Sequence, residues 1–140
     1  MITYIDTSTL IKLIINEVGS GRAVTIWASA DTVASVSLII VEAKAALAAA
    51  RRGRRLTKQQ HTAANKELDA LLAGLHIVQA TEELISDAAN LAENEALRGY
   101  DAVHLAAALR VGATILSSAD GDLCAAAEQQ GLYVANPLDT

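Results

Sequence analysis

Short β-branched and apolar runs recur along this chain, each followed by a stretch whose apolar side chains return with helical spacing. That alternation constrains the fold more than any other feature. A strand followed by a helix and then another strand returns the chain to its starting edge, so short links between such units predict a parallel sheet covered by helices on both faces. The strand-like runs are 1–5, 32–36, 76–79, 113–117 and 132–135. Between them the spacing predicts a helix through Ile15 capped by Thr7 or Ser8, and one of about ten residues containing Ile26 and Trp27. Further helices follow over 37–50, after the N-cap candidates Thr57 and Thr81, from near Tyr100 to Arg110, and up to Gln130. The expected architecture is a three-layer α/β/α domain with four to five parallel strands.

The length of 140 residues suits a single domain, 1–140, and the hydrophobic share of 52%, drawn mainly from Ala, Leu, Ile and Val, excludes a disordered chain. With Cys124 as its single cysteine the chain forms no internal disulfide. Neither an apolar run of membrane-spanning length nor a secretory leader pattern is present in the sequence, which predicts a cytoplasmic protein. The net charge of −5 argues against coating nucleic acid by bulk electrostatics. An enzyme of nucleic acids with this charge needs bound metal and a local basic patch, and Arg51, Arg52, Arg54 and Arg55 form the dense one.

Four acidic residues carry the chemistry. Asp6 and Asp120 follow the first and fourth strand-like runs, and in an open parallel sheet ligands bind outside the carboxyl ends of the strands. Each aspartate also suits an N-cap, although at Asp6 the neighbouring Thr7 and Ser8 offer alternatives. Glu42 has Leu38, Ala45, Ala46 and Ala49 at helical spacing and no basic residue on that face. Burying such a carboxylate is costly unless a cation compensates it; the bland alternative is a glutamate that reaches solvent at the edge of the stripe. Asp101 opens the most apolar helix, where it too can cap. Clustered carboxylates repel one another unless positive charge is present, and hard oxygen donors without a Cys or His set point to Mg²⁺ or Mn²⁺. Such a centre suits phosphodiester hydrolysis by a metal-activated water.

Taken together, the segments YIDTSTLIKL, SLIIVEAKAALA, YDAVHLAAAL and ILSSADGDL resemble the PIN-domain ribonucleases, and most closely the VapC-type toxins of toxin–antitoxin pairs. The resemblance implies a three-layer fold, Mg²⁺- or Mn²⁺-dependent RNA cleavage, a homodimer, and inhibition by a cognate VapB-like antitoxin in a heterotetramer or larger assembly. It matches Asp6, Glu42, Asp101 and Asp120 to the family's acids, which serve as catalytic residues and metal ligands, and Ser8 to the hydroxyl that supports the first. Asp122 matches more weakly as a further contributor. Asn16 departs from the pattern, standing where many members carry an acid.

The remaining polar residues have bland and functional readings. His104 shares a helical face with Asp101 and reads as a core histidine, the alternative being one that orients the site or the RNA; His61 and His76 read as solvated. The arginine cluster suits RNA phosphates or acidic antitoxin side chains, or simply a solvated helix end. Tyr100 reads as core packing and Cys124 as a small buried filler. Two other functions compete with the nuclease: a catalytically silent PIN-like module that binds RNA or protein, and a phosphatase with Asp6 as nucleophile. The second usually needs an acid two residues on, where this chain has Ser8.

Overall fold

The computed structural model describes residues 1–139. Five parallel strands form one sheet in the order β3-β2-β1-β4-β5. They are β1 (Ile2–Ile5), β2 (Thr32–Val36), β3 (His76–Val78), β4 (Ile115–Ser117) and β5 (Tyr133–Ala135). Between them run α1 (Thr7–Lys12) and α2 (Ser20–Ser29), α3 (Leu38–Arg52) and α4 (Lys58–Ala73), α5 (Glu82–Glu95) and α6 (Gly99–Arg110), and α7 (Gly121–Gln129). The expected alternation is therefore present, with five strands rather than four.

Side chains alternate across a strand, and β1 shows what that does. Tyr4 faces a core built with Leu84, Ala102, Leu105 and Leu123 from α5, α6 and α7. Ile5 faces the opposite core, with Leu10, Ile39, Leu47 and Leu68 from α1, α3 and α4. The sheet is thus covered on both sides, which is why its strands read as continuous apolar runs.

From β1 the chain winds outward through β2 to β3, then returns to the other side of β1 for β4 and β5. The strand order reverses between β1 and β4, and such a reversal leaves a crevice at the carboxyl ends of the two strands. Asp6 follows β1 directly, and its backbone N–H donates to Ser117 O of β4 at 3.1 Å. The fold opens its crevice where two of the acids stand.

Local details correct the expected helix ends. Asp6 itself caps α1, in place of Thr7 or Ser8, and α1 stops at Lys12 because the bonds Leu13 N to Leu10 O and Ile14 N to Ile11 O tighten its last turn. Thr57 caps α4 as expected, and Gln60 reciprocates by accepting from the Thr57 N–H to complete a capping box. At the end of α3 the left-handed residue is Arg54, with φ 63°, rather than Gly53. Arg55 N then reaches back to Ala50 O at 2.8 Å, closing the helix.

Candidate active site

Asp6 is buried, 5% exposed, and hydrogen-bonded at both carboxylate oxygens. Its Oδ1 accepts from the Ser8 hydroxyl at 2.7 Å and from Thr9 N at 3.1 Å, and its Oδ2 accepts from the Ser118 hydroxyl at 2.6 Å. Those hydroxyls are themselves fixed: Ala119 N donates to Ser8 Oγ and Asp120 N to Ser118 Oγ, both at 2.9 Å. One carboxylate therefore serves as helix cap and as the hub joining β1 to the loop after β4. With both oxygens held by donors, it is poorly set to attack phosphorus, which weighs against the phosphatase reading.

Asp120 has the same double character. Its Oδ1 caps α7 by accepting from Asp122 N and Leu123 N, at 2.9 and 3.1 Å, and its Oδ2 accepts from Arg98 Nη2 at 2.7 Å. Asp122 contributes its backbone N–H to that cap, and its side chain is exposed.

Asp101 lies in the first turn of α6 rather than capping it; Arg98 occupies the cap position, without a side-chain cap bond. The Asp101 Oδ2 accepts from Arg98 Nε at 3.2 Å and Nη2 at 3.1 Å. Burial and then the charge of Asp120 raise the pKa of Asp101, Arg98 pulls it back, Asp6 adds to the rise, and the outcome lies above the ordinary aspartate range. The rim carries more negative charge than its own guanidinium offsets.

Glu42 departs most from the sequence reading. The buried stripe of α3 is Ile39, Ala43, Leu47 and Ala50, whereas Ala45 and Ala49 are exposed, so Glu42 stands at the stripe's edge with its side chain 23% exposed. Nor is it without a partner. Its Oε1 accepts from Thr7 Oγ1 at 2.7 Å and meets His104 Nε2 at 2.6 Å. Burial pushes the Glu42 carboxyl up, but the hydrogen bonds from His104 and the Thr7 hydroxyl hold it below the usual glutamate range. Helical spacing within α3 could not show this partner, since it comes from α6.

His104 is 2% exposed, as a core histidine should be, and it also links the core to the rim. Its Nδ1 lies 2.7 Å from the Tyr4 hydroxyl, whose ring packs edge-on at 5.8 Å between centroids. Burial holds the Tyr4 phenol protonated far above its ordinary range. A ring that carries its proton at Nε2 donates to Glu42 and accepts a hydrogen bond from the Tyr4 hydroxyl at Nδ1, satisfying all three groups.

Other expectations fare variously. Tyr100 is 67% exposed beside Asp101, correcting its assignment to the core. Cys124 is buried, its thiol facing Ser118 O at 3.3 Å, and burial followed by the charges of Asp6 and Asp120 pushes its pKa to about 11. His61 pairs with Asn65 on α4, and His76 and Asn16 are exposed. Arg51, Arg52, Arg54 and Arg55 are exposed at the far end of α3, where Arg51 stands roughly 14 Å along the helix axis from Glu42. Arg55 is paired with Glu17 at 2.8 Å. Sequence reasoning missed Thr7, Ser118 and Arg98; the Ser117-Ser118 pair closing an apolar strand was the available signal for one of them.

The donor set suits a hard divalent cation in kind, being carboxylate oxygen with excess negative charge. Among the described residues nothing in the protein donates to Glu42 Oε2 or Asp101 Oδ1, so lone pairs remain free. In the present side-chain arrangement no three His, Cys, Asp or Glu residues among those described converge closely enough to share one ion. Arg98 supplies positive charge between Asp101 and Asp120.

A family model describing the PIN domain matches residues 3–129. The chain is a PIN-domain protein. Over 111 residues it is 40% identical to the ribonuclease VapC45 of Mycobacterium tuberculosis, covering 79% of this chain and 77% of that protein. Its fold matches FitAcB from Neisseria gonorrhoeae with a TM-score of 0.76, at 17% identity and with all of both chains covered. A toxin–antitoxin complex from Klebsiella pneumoniae matches at 0.69, with 18% identity and 99% of each chain covered. The identity to VapC45 places this PIN domain among the VapC-type proteins, and the two solved structures show the shared fold.

Proposed function

We propose that this PIN domain is a metal-dependent endoribonuclease that acts as the toxin of a toxin–antitoxin pair. The observation that supports the reading is a run of contacts that links Asp6 to Glu42, Asp101 and Asp120 near the crevice between β1 and β4, although their carboxylates do not converge on one point in the present side-chain arrangement. Ser118 joins Asp6 to Asp120, Arg98 joins Asp120 to Asp101, and Thr7, next to Asp6, joins the group to Glu42. Packing alone gives no reason to assemble four like charges there.

In this reading the four acids hold Mg²⁺ or Mn²⁺, which when bound supplies charge neutralisation at the phosphate and a more acidic water. The protein's own part is preorganisation. Ser8 and Ser118 fix Asp6 so that its oxygens keep one direction, and His104 with Thr7 aims Glu42. The N-termini of α3, α6 and α7 open toward the same edge and favour an approaching phosphate. Asp122, exposed at the start of α7, is at most a peripheral contributor. The cluster Arg51, Arg52, Arg54 and Arg55 lies too far along α3 to touch the reacting phosphate, so its proposed contacts are with flanking RNA or an acidic antitoxin segment.

The partners proposed are RNA as substrate, a VapB-like antitoxin, and a second copy of the chain, in keeping with the toxin–antitoxin complex of like fold. Residues 1–140 act as one domain in this reading. No helix among the described residues is long and apolar enough to cross a membrane, which is compatible with the proposed cytoplasmic location.

Purified protein is expected to cut RNA internally when Mg²⁺ or Mn²⁺ is supplied, to stop when EDTA removes the ion, and to resume when it is returned. RNA fragments that form equally well in EDTA would contradict the metal role. Tight RNA binding with no cut across metals and RNA types would favour the silent binding module.

A further inference from the structure

Arg98 ends the short link between α5 and α6, and its backbone and side chain behave differently. The backbone is fixed: Leu97 before it is 8% exposed in the core, and the Arg98 carbonyl accepts from Ala102 N at 3.0 Å as the first turn of α6 begins. The side chain is 77% exposed, yet it reaches over that turn to two carboxylates that are only 14% and 26% exposed. Its Nη2 is shared between Asp101 Oδ2 at 3.1 Å and Asp120 Oδ2 at 2.7 Å. A cation anchored outside the rim thus fills the gap between acids from two different helices.

Building on the nuclease reading, we propose that Arg98 is a displaceable counter-cation. It neutralises Asp101 and Asp120 in the metal-free protein, yields them to the divalent ion, and then binds an RNA phosphate beside the site. A guanidinium and a metal ion compete for the same carboxylate lone pairs, so occupancy by one opposes the other. Because the guanidinium is 77% exposed its ion pairs are weakened by solvent, which lets Arg98 hold the acids without locking them. Once released, its charge stays tethered at the edge of the crevice by the fixed backbone. The planar fork of donors matches phosphate oxygens, and a protein of net charge −5 needs such a cation close to where its substrate docks. The cluster at the end of α3 is too distant for that task.

The test uses the metal-free full chain and its Arg98→Ala and Arg98→Gln variants. Calorimetric titration with Mn²⁺ is expected to give dissociation constants about two- to fivefold lower in both variants, the range set by the loss of a weak exposed competitor. In cleavage assays at saturating Mn²⁺ the KM for RNA should rise about fivefold or more, by a larger factor than kcat falls. A merely structural Arg98 would lower the melting temperature without tightening Mn²⁺ binding. Equal or weaker Mn²⁺ affinity in both variants, or an unchanged KM, overturns the proposal; continued metal-dependent cutting by the unaltered protein would then leave the nuclease reading standing. Should the unaltered protein neither bind Mn²⁺ nor cut RNA, both readings fall.

Discussion

Asp101→Asn is expected to reduce Mn²⁺-supported RNA cleavage on the order of 10³-fold while leaving the protein folded, because it removes a charged oxygen from the proposed ion site and leaves an amide oxygen that can still accept from Arg98. Asp101 is the cleanest of the four acids for this purpose. Asp6→Asn would turn an amide N–H₂ toward Ser8, Thr9 N or Ser118, all of which now donate, so lost activity there would mix with lost structure. Asp120→Asn keeps a capping oxygen but disturbs α7 if the amide flips.

The sign of the stability change separates the two effects. The folded state raises the Asp101 pKa, through burial first and Asp120 next, so the native protein holds that proton more tightly than the unfolded chain does. Stability contributed by this group therefore falls as pH rises through and above the ordinary aspartate range of about 4. At neutral pH the charged carboxylate costs the metal-free protein stability, and Asn removes that cost. The metal-free variant should melt at the same temperature as the parent or slightly higher at pH 7, read by calorimetry. A variant that melts well below the parent, or one that cuts RNA at the parental rate, would be inconsistent with the assignment.

His104→Ala should destabilise the protein by about 3–4 kcal/mol, combining the cavity left by a buried ring with an orphaned Tyr4 hydroxyl. Tyr4 and His104 are 0% and 2% exposed, so water cannot readily replace the lost contacts. Urea unfolding measures the loss. The same change frees Glu42, which keeps only the Thr7 hydroxyl on Oε1, and activity should drop roughly 10- to 100-fold, as when an outer partner of a metal ligand is removed. His104→Gln, able to bond one neighbour, should recover part of both losses. A stability change under about 1 kcal/mol would show that the Tyr4–His104–Glu42 chain carries no weight.

The layer order and the strands were legible because burial on both faces writes continuous apolar runs, and each such run here ends at a turn or cap residue. The acids at strand ends were legible for the same reason: Asp6 and Asp120 interrupt an apolar run where a helix must start. What the sequence hid is tertiary pairing. Glu42 looks unpartnered along α3 because its partner, His104, lies 62 positions away on α6. Tyr100 sits next to a strongly apolar helix and so reads as core, yet the second residue of α6 faces outward at the rim. Arg98 carries no local motif, and its importance comes from Asp120, 22 positions on. The choice of Thr7 or Ser8 as the α1 cap failed because three hydroxyl or acidic residues in a row all satisfy capping chemistry. The buried Ser118 decides among them by fixing Asp6.

The central claim is that the four acids are a cation site, and diffraction at the manganese edge from crystals grown with Mn²⁺ tests it directly. The account predicts an anomalous peak bounded by Asp6, Glu42, Asp101 and Asp120, with the Arg98 guanidinium turned away. Crystals saturated with Mn²⁺ that show no peak there, and Arg98 still bridging Asp101 to Asp120, would contradict it.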